Sequence, residues 1–356
     1  MELHEFMCPQ VCPAPHWLRD NPGALADYPA SLITLCDFDG DILHFQKNNR
    51  RKLASAPVSA LDSDEGTKKL RMNKAQRTIE LVQSLRGRVR GTMVANMRDA
   101  APYDPEFYFG RELNILQYNR RKGCHSAVLW RLPEYYEPSR KLGGTFQRNV
   151  DESRAFRDKK PMIYWRGTLS GGRWLNPWHR QSAGKATTIA AIEAAAVWNS
   201  RARAVVFGAA NRDFCDLRFG IGRRNLTLGE GEVAKHKYLG RTVAPDVMLQ
   251  HRYLLCPAGH DVATQTYWIL NTNSLALKEE TEYEVLPDFF LKPWVHYVPI
   301  APGLTDLREK FEYLEANPAL CEAIIERAQM AYAGIVEPSL WQEAEDIVLD
   351  RMGVRA

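Results

Sequence analysis

The chain contains 356 residues, of which 45% are hydrophobic and 25% are charged. This composition is ordinary for a globular protein and excludes a disordered or fibrous chain, while the length suits two domains. No apolar run reaches the roughly 18 residues that cross a bilayer, and the N-terminus lacks the pattern of a secretory signal. The seven cysteines form no paired framework. We therefore expect a cytoplasmic protein with free thiols.

The positive charge is concentrated in one stretch of the chain. The net charge is +4, but residues 46–90 carry twelve Lys and Arg against four Asp and Glu. Such a stretch suits a phosphorylated glycan or an acidic membrane surface, and a solvated helix face is the simpler alternative. Because no RNA- or DNA-binding motif accompanies the charge, nucleic acid is not expected as a partner.

The N-terminal part of the chain predicts a few short elements. Residues 30–46 predict two strands joined by an Asp-Gly turn, because apolar runs flank the dipeptide. Residues 67–86 have the spacing of an amphipathic helix, and residues 91–99 predict a short strand that ends in polar residues. The Pro- and Tyr-rich residues 131–144 are typical of a linker or of a loop across a cleft.

The sequence D-F-D-G-D at 37–41 admits more than one interpretation. Carboxylates after an apolar strand suit a metal that holds a nucleotide diphosphate, and D-x-D-G also resembles the start of haloacid-dehalogenase-type phosphatases, with Asp37 as the nucleophile. The metal site needs a nucleotide-binding half before it, and only 36 residues precede Asp37. The phosphatase motif has Thr or Val where Asp41 stands. A hairpin turn is therefore the favoured interpretation.

From Pro161 onward, strand and helix patterns alternate. The predicted strands lie at 161–167, 202–209, 251–259 and 273–280, and the predicted helices lie between them at 185–199 and 262–272. Strands separated by helices at this spacing indicate a parallel, doubly wound sheet. Three further helices are predicted to begin at Asp306, Asn317 and Ser339. A capping box of Asp306 with Glu309 opens the first of them.

The sequence Y-W-R-G-T-L-S-G-G-R at 164–173 is a candidate phosphate-binding segment. A strand delivers Arg166, Gly167 and Thr168 at its carboxyl end, where doubly wound sheets bind ligands. Arg166 and Arg173 suit a diphosphate, because planar guanidinium forks match phosphate oxygens and glycines let the backbone approach them. The simpler interpretation is a surface arginine in a glycine turn.

A second candidate segment, G-H-D-V-A-T-Q-T at 259–266, leads from a strand into the start of a helix. Free backbone N–H groups at such a position form an anion site, which threonine hydroxyls can complete. The candidate contacts are Gly259, Asp261, Ala263, Thr264 and Thr266. The alternative for Asp261 is a helix N-cap, a role that Asp commonly fills.

Residues 292–300, K-P-W-V-H-Y-V-P-I, predict a rigid connecting strand in which His296 is a structural hydrogen-bonding group. Together with residues 305–328, this segment resembles the C-terminal signature of glycosyltransferase family 90. Y-W-R-G at 164–167 is similar to the family's F-R-G motif, and residues 259–278 are similar to its bacterial lipopolysaccharide branch. The family also includes capsule-associated xylosyltransferases and protein O-glucosyltransferases.

The resemblance implies a GT-B fold, in which two Rossmann-like domains face each other across a cleft, and inversion at the sugar without a metal. N-M-R-D at 96–99 is similar to the family's Asn-x-Arg-Asp, whose Asp corresponds to Asp99 as the catalytic base. Arg166, Gly167, Arg173 and the segment Ala263–Thr266 would hold the nucleotide diphosphate. The alternative role for Asp99 is a salt bridge or a strand-end cap.

The resemblance implies an acceptor-side domain at 1–150 and a nucleotide-sugar-binding domain at 151–335, followed by a C-terminal helix at 336–356 that we expect to pack on the first domain. The expected function is transfer of a sugar from a nucleotide sugar, a UDP-sugar, to a hydroxyl of a glycan such as lipopolysaccharide or capsule. No cofactor or metal is required, and residues 46–90 would meet an acidic membrane surface. The alternatives are a phosphatase that uses Asp37 and a non-catalytic nucleotide- or glycan-binding scaffold.

Overall fold

Two compact units make up the computed structural model. The first unit comprises Met1–Gly144, Tyr283–Phe289 and Glu337–Ala356, and the second comprises Thr145–Glu282 and Phe290–Val336. The structure describes residues 1–12, 15–27, 33–47, 52–62, 76–97, 112–131, 152–169, 189–220, 238–241, 243–259 and 261–356. None of the helices in this part of the chain is long and apolar enough to span a membrane.

The described residues form strands and helices throughout both units. The strands are β1 (Ile33–Asp37), β2 (Ile42–Lys47), β3 (Lys52–Ala56), β4 (Thr92–Asn96), β5 (Ile115–Gln117), β6 (Asn119–Arg121), β7 (Ala127–Leu129), β8 (Lys160–Gly167), β9 (Cys215–Gly220), β10 (Leu239–Gly240), β11 (His251–Cys256), β12 (Leu275–Glu279), β13 (Tyr283–Val285) and β14 (Val298–Ile300). The α-helices are α1 (Leu3–Met7), α2 (His16–Asp20), α3 (Gln76–Leu85), α4 (Ile189–Ala195), α5 (Ser200–Ala210), α6 (Pro245–Met248), α7 (Gln265–Ile269), α8 (Leu307–Ala316), α9 (Pro318–Ile335) and α10 (Pro338–Arg351).

The sheet of the first unit is mixed. Its strand order is β3-β2-β1-β4-β5-β7, with β1, β2 and β3 as an antiparallel meander and β4, β5 and β7 parallel to one another. Because side chains alternate along each strand, Leu35 packs into one apolar cluster with Val94 and Ile115. The next residue, Cys36, packs into a second cluster that contains Ile79 of α3. Both faces of β1 are therefore buried.

The hairpin predicted at 37–41 is confirmed, since β1 and β2 pair antiparallel with Asp37 opposite Ile42. Asp37 Oδ1 accepts a hydrogen bond from the Gly40 N–H at 3.2 Å, which closes the turn. Asp41, and not Gly40, takes the left-handed backbone, with φ of 51°. Aspartate tolerates that region, and the Asp41 carboxylate accepts bonds from the backbone and hydroxyl of Ser59 at 2.7 and 2.5 Å.

The sheet of the second unit is entirely parallel, which confirms the predicted parallel sheet. Its order is β10-β9-β8-β11-β12-β14. Counted along the chain within this sheet, that is third, second, first, fourth, fifth and sixth, the order of a dinucleotide-binding fold. Ile163, Trp165 and Leu217 lie in one large apolar cluster with Leu255 and Leu277. This cluster fixes one face of the sheet.

The strand predicted at 202–209 is wrong, because these residues form α5 and the strand follows at β9. The Asn199 side chain accepts a hydrogen bond from the Ala202 N–H at 2.8 Å and so caps the helix. Gly208 lets α5 lie close to β9: a Cβ there would be 2.7 Å from the Cβ of Leu217. A short apolar run does not by itself distinguish a helix from a strand.

The three C-terminal helices α8, α9 and α10 are confirmed, but the predicted capping box of α8 and the predicted start of α10 are wrong. Asp306 is the N-cap of α8, as predicted. Asp306 makes no capping bond to α8. Its carboxylate accepts a hydrogen bond from the Ala301 N–H at 3.0 Å and pairs with Lys310 at 2.5 Å. Helix α10 begins at Pro338 with Glu337 as its N-cap, rather than at Ser339. The carboxylate of Glu337 satisfies the Ser339 N–H instead.

A buried carboxylate joins α10 to the rest of the first unit. Glu345 is 1% exposed and accepts hydrogen bonds from Arg131 Nε at 2.5 Å and from Arg88 Nη1 at 3.1 Å. Arg88 also donates to Asp346 at 2.9 Å. A buried carboxylate is stable only when it is paired and hydrogen-bonded, so these two arginines fix the position of α10.

We expect Glu345→Ala to lower the free energy of unfolding by about 3 kcal/mol, because it leaves two partly buried guanidinium groups without their shared partner. Urea denaturation monitored by circular dichroism measures this loss. Glu343→Ala is the matched control, since Glu343 lies exposed on the same helix, and its effect should stay within about 0.5 kcal/mol. Equal losses for the two variants would contradict a structural role for the Glu345 pairs.

Candidate functional site

The candidate site lies where two neighbouring strands of the second unit end. β8 and β11 pair in parallel, with Ile163 beside Tyr253 and Tyr164 beside Leu254. In chain order they are the first and fourth strands of this sheet, although they are neighbours in space, so the direction in which strands are added reverses between them. Doubly wound sheets bind ligands outside the carboxyl ends of the strands at such a switch point. The two candidate segments, which begin at Arg166 and Gly259, therefore leave from adjacent strand ends.

Arg166 is held in a fixed position beside β9. Its Nη2 donates to Asp216 Oδ2 at 2.6 Å, and its Nη1 donates to the carbonyl oxygens of Trp165 and Asp216 at 2.8 and 2.9 Å. The guanidinium lies 4.3 Å from the ring centroid of Tyr164. Arg218 pairs with the other oxygen of Asp216 at 2.7 Å. Two guanidinium groups thus share one carboxylate and keep a net charge of +1.

Gly167 permits a close contact at the end of β8. A Cβ at this position would lie 2.2 Å from Cζ2 of Trp165, a separation that real atoms do not tolerate. Trp165 is 1% exposed and belongs to the main apolar cluster. From the sequence, Gly167 was expected to let the backbone approach a phosphate. The structure shows that this position also needs glycine because of the Trp165 ring. The carbonyl oxygen of the next residue, Thr168, accepts a bond from Arg201 Nη1 at 3.4 Å.

Arg201 is a charged residue at this site that the sequence reasoning missed. It lies in the first turn of α5, and its Nη2 is 2.9 Å from the place that a Cβ on Gly259 would occupy. Burial lowers the pKa of Arg201 to about 10, against the opposing attraction of Asp261 and Glu279. Arg201 therefore contacts both candidate segments, at Thr168 and at Gly259. A cation in the first turn of a helix opposes the macrodipole, but this signal exists only once α5 is known to be a helix.

Glu279, at the end of β12, is the anionic counterpart of Arg201. It is 2% exposed, and its Oε1 accepts bonds from Ser200 Oγ at 2.9 Å and from the Gly303 N–H at 3.0 Å. Its Oε2 accepts from the Ala258 N–H at 2.9 Å. One carboxylate thus ties the start of α5 to the segments that follow β11 and β14. The carboxyl edge of the sheet is fixed by these bonds before any ligand arrives.

The segment from Asp261 to Thr266 enters α7 less directly than the sequence implied. The N-cap of α7 is Thr264 and not Asp261, so the capping alternative for Asp261 is wrong. Asp261 is 6% exposed and accepts a bond from the Val262 N–H at 2.6 Å. Thr266 is fully buried beside Cys256, the thiol whose pKa burial raises to about 11. Its hydroxyl therefore points into the protein.

Two backbone donors of this segment remain available. Within the described part of the chain, the N–H groups of Ala263 and Thr264 donate to no acceptor. Helix α7 has only five residues, so its dipole adds little to the attraction of an anion. The positive charge beside this segment comes from Arg201 instead.

Two of the predicted site residues, Asp99 and Arg173, lie outside the described residues. Their roles stay predictions. β4 ends at Asn96, three positions before Asp99 in the sequence. Among the described residues, no three His, Cys, Asp or Glu side chains are grouped so that they could hold a metal ion.

We expect Gly167→Ala to lower the free energy of unfolding by about 1–3 kcal/mol, because the new methyl group would displace the Trp165 ring. Denaturation followed by tryptophan fluorescence measures this change. Gly23→Ala is the control, since a Cβ at Gly23 would meet nothing within 4 Å. A neutral Gly167→Ala would show that the strand end can move away from the indole ring.

The chain is similar to a family of known enzymes over the second unit. The family model described as Glycosyl transferase family 90 matches residues 144–333, more than half of the chain. This range contains all six strands of the parallel sheet and both candidate segments described above.

Curated relatives match over shorter stretches. O-glucosyltransferase LpsA of Dichelobacter nodosus is 38% identical over 96 residues, which cover 26% of this chain and 30% of LpsA. Protein O-glucosyltransferase 1 of Rattus norvegicus is 29% identical over 121 residues, 30% of each protein. Protein O-glucosyltransferase 3 of Mus musculus is 29% identical over 109 residues, 31% of this chain and 21% of that protein. The chain thus spans less than a third of the length of these relatives.

The matched range contains most of the motifs that carry the resemblance in the sequence, from Y-W-R-G at 164–167 to the helices after residue 305, but not N-M-R-D at 96–99. The match confirms the family that those motifs predict. Because the match covers more than half of the chain and the whole parallel sheet, the chain belongs to glycosyl transferase family 90.

Proposed function

We propose that the chain is an inverting, metal-independent glycosyltransferase of the GT-B fold. It transfers a sugar from a nucleotide sugar, a UDP-sugar, to a hydroxyl of a glycan such as lipopolysaccharide or capsule. Membership of the family implies a sugar donor and an acceptor. The observation that carries the proposal is the pair of candidate segments at the switch point between β8 and β11. The names of the relatives make glucose the first sugar to test.

The donor half of the proposal needs positive charge that is fixed before the reaction. Arg201 and the Arg166–Asp216–Arg218 group supply it at the strand ends, and the N–H groups of Ala263 and Thr264 supply hydrogen-bond donors. Groups that are already oriented stabilise the charge that develops on a leaving diphosphate without reorganising. Arg173 is proposed as a further contact.

The acceptor half assigns Asp99 as the general base. Its carboxylate takes the proton of the acceptor hydroxyl while that oxygen attacks the anomeric carbon of the donor. The bond from the anomeric carbon to the phosphate oxygen breaks on the opposite side, the configuration inverts, and the nucleoside diphosphate leaves. The proton remains on Asp99 until solvent removes it.

The basic stretch at 46–90 supports a proposal for where in the cell this reaction occurs. Twelve Lys and Arg against four Asp and Glu would attract acidic lipid headgroups or glycan phosphates. We therefore place the protein in the cytoplasm, in peripheral contact with the inner face of the membrane where a glycolipid acceptor is exposed.

A thermal-shift screen tests the donor half first. We expect UDP and UDP-glucose to raise the Tm more than GDP or CMP do, because a ligand that binds only the folded protein stabilises it by mass action. At 100 times the Kd this stabilisation is about 2.7 kcal/mol. The shift should survive EDTA. A shift with magnesium and phosphate, but with no nucleotide, would contradict the proposal.

Asp99→Asn tests the base. We expect turnover of UDP-glucose in the presence of a glycan acceptor to fall by about 10²–10⁴-fold, the usual contribution of a general base. The Tm shift with UDP should not change, since Asn keeps the shape of the side chain. Turnover is followed by release of UDP.

Asp37→Asn is the matched control, because Asn retains the oxygen that accepts from Gly40 in the hairpin turn. We expect this variant to keep wild-type transfer activity. Loss of transfer activity in Asp37→Asn with full transfer activity in Asp99→Asn would contradict Asp99 as the general base and would make Asp37 the essential carboxylate.

A further inference from the structure

The first unit contains a buried amide side chain that the described residues around it leave unsatisfied. Gln117 is the last residue of β5 and is 1% exposed. Neither Oε1 nor Nε2 of Gln117 has a hydrogen-bond partner among the described residues. Most buried side-chain polar atoms in native proteins are paired, so an orphaned amide needs an explanation such as an absent ligand.

The strand register shows where this amide lies. β5 pairs in parallel with β4, and Gln117 stands directly beside Asn96, the last residue of β4. Because side chains alternate along a strand, both amides lie on the same face as Val94 and Ile115, which stand two residues earlier in their strands. Those two residues belong to an apolar cluster. The amides therefore end an apolar face at the carboxyl edge of three parallel strands.

This edge is suited to a ligand for two independent reasons. Open α/β sheets bind ligands outside the carboxyl ends of their parallel strands. Asn96 is also the first residue of N-M-R-D, the motif that carries the proposed base Asp99. Gln117 is thus adjacent in the sheet to the start of the motif to which the acceptor chemistry is assigned.

We propose that Gln117 binds a pair of neighbouring hydroxyl groups on the acceptor sugar. An amide with both ends unsatisfied requires a ligand that donates to Oε1 and accepts from Nε2. A pair of sugar hydroxyls does both, whereas a carboxylate or a phosphate offers acceptors alone. The inference rests on the proposed function, since it names a residue that recognises the acceptor of that transfer.

The stability of the ligand-free protein gives the first test. Gln117→Met has the same length and removes both polar atoms, so its Tm should equal or exceed that of the wild type. Gln83→Met is the matched control in the same unit, because Gln83 Nε2 donates to the Leu61 carbonyl at 2.7 Å. Its Tm should fall by about 2 °C. A fall in the Tm of Gln117→Met that matches or exceeds the control would overturn the inference.

Kinetics with the nucleotide sugar and a deacylated lipopolysaccharide core as acceptor give the second test. Gln117→Met should raise the KM for the acceptor by about tenfold, which corresponds to one lost pair of hydrogen bonds. The kcat and the Tm shift with UDP should stay at the wild-type values. Gln117→Asn, which keeps the amide one methylene further back, should lie between the two.

Two results of the kinetic test would overturn the inference. One is an acceptor KM that Gln117→Met leaves unchanged. The other is loss of the UDP shift, because a nucleobase edge also donates and accepts, and Gln117 would then belong to the donor.

Direct glycan binding separates this inference from the proposed function. Wild type and Gln117→Met are heated with methyl glucoside, methyl galactoside and the deacylated core, without nucleotide. If no nucleotide sugar is turned over, yet a glycan raises the Tm of the wild type alone, the proposed function fails and the inference stands. If transfer occurs but Gln117→Met behaves as wild type, the proposed function stands and the inference fails. If no glycan shifts the wild type and none is glycosylated, the inference is overturned.

Discussion

The parallel pairing of β8 with β11 is the constraint on which the second unit depends. These strands are neighbours in the middle of the sheet, and the chain winds away from them in opposite directions. The connections that leave their carboxyl ends therefore diverge, and a crevice opens between them. The register also keeps the packed side chain of Trp165 and the candidate binding side chain of Arg166 on opposite faces of the sheet. A slip of one residue would exchange these faces. A guanidinium group would then lie in the apolar cluster that the indole ring fills.

The two sheets treat buried polar groups at their carboxyl edges in different ways. In the second unit, Glu279 accepts three hydrogen bonds and lies near the charge of Arg201, and these partners offset part of the cost of burying the carboxylate. In the first unit, Gln117 makes none of the bonds available to its side chain within the described residues. An unsatisfied buried amide costs about 1–3 kcal/mol. Natural proteins depart from full hydrogen bonding mainly at functional sites, where binding requires it. The carboxyl edge at Glu279 is hydrogen-bonded within the protein, whereas under our proposal the edge at Gln117 gains its hydrogen bonds from the acceptor.

Much of the second unit could be predicted from the sequence, because strands buried on both faces appear as continuous apolar runs, as at 251–259. The same property misled the prediction at 202–209, where an apolar run forms a helix that packs on the sheet. That error also hid Arg201, since its position in a first helical turn has meaning only once the helix is known. Gln117 carries no local signal at all. Its significance depends on the register of β5 with β4, which a single sequence does not specify.

One of the motifs that carry the resemblance to the family has a structural role. In K-P-W-V-H-Y, the Trp294 N–H donates to the Tyr297 carbonyl at 2.8 Å, and the Lys292 N–H donates to His296 Nδ1 at 2.9 Å. His296 is thus the structural hydrogen-bonding group that the sequence predicted, and burial lowers its pKa, which favours the neutral ring that accepts this bond. The loop holds Trp294 at φ of 62°, a strained conformation for a bulky residue. It leads into the amino end of β14, whereas the candidate site lies at the carboxyl ends of the parallel strands. This part of the family signature therefore serves to build the sheet, at the edge opposite to the candidate site.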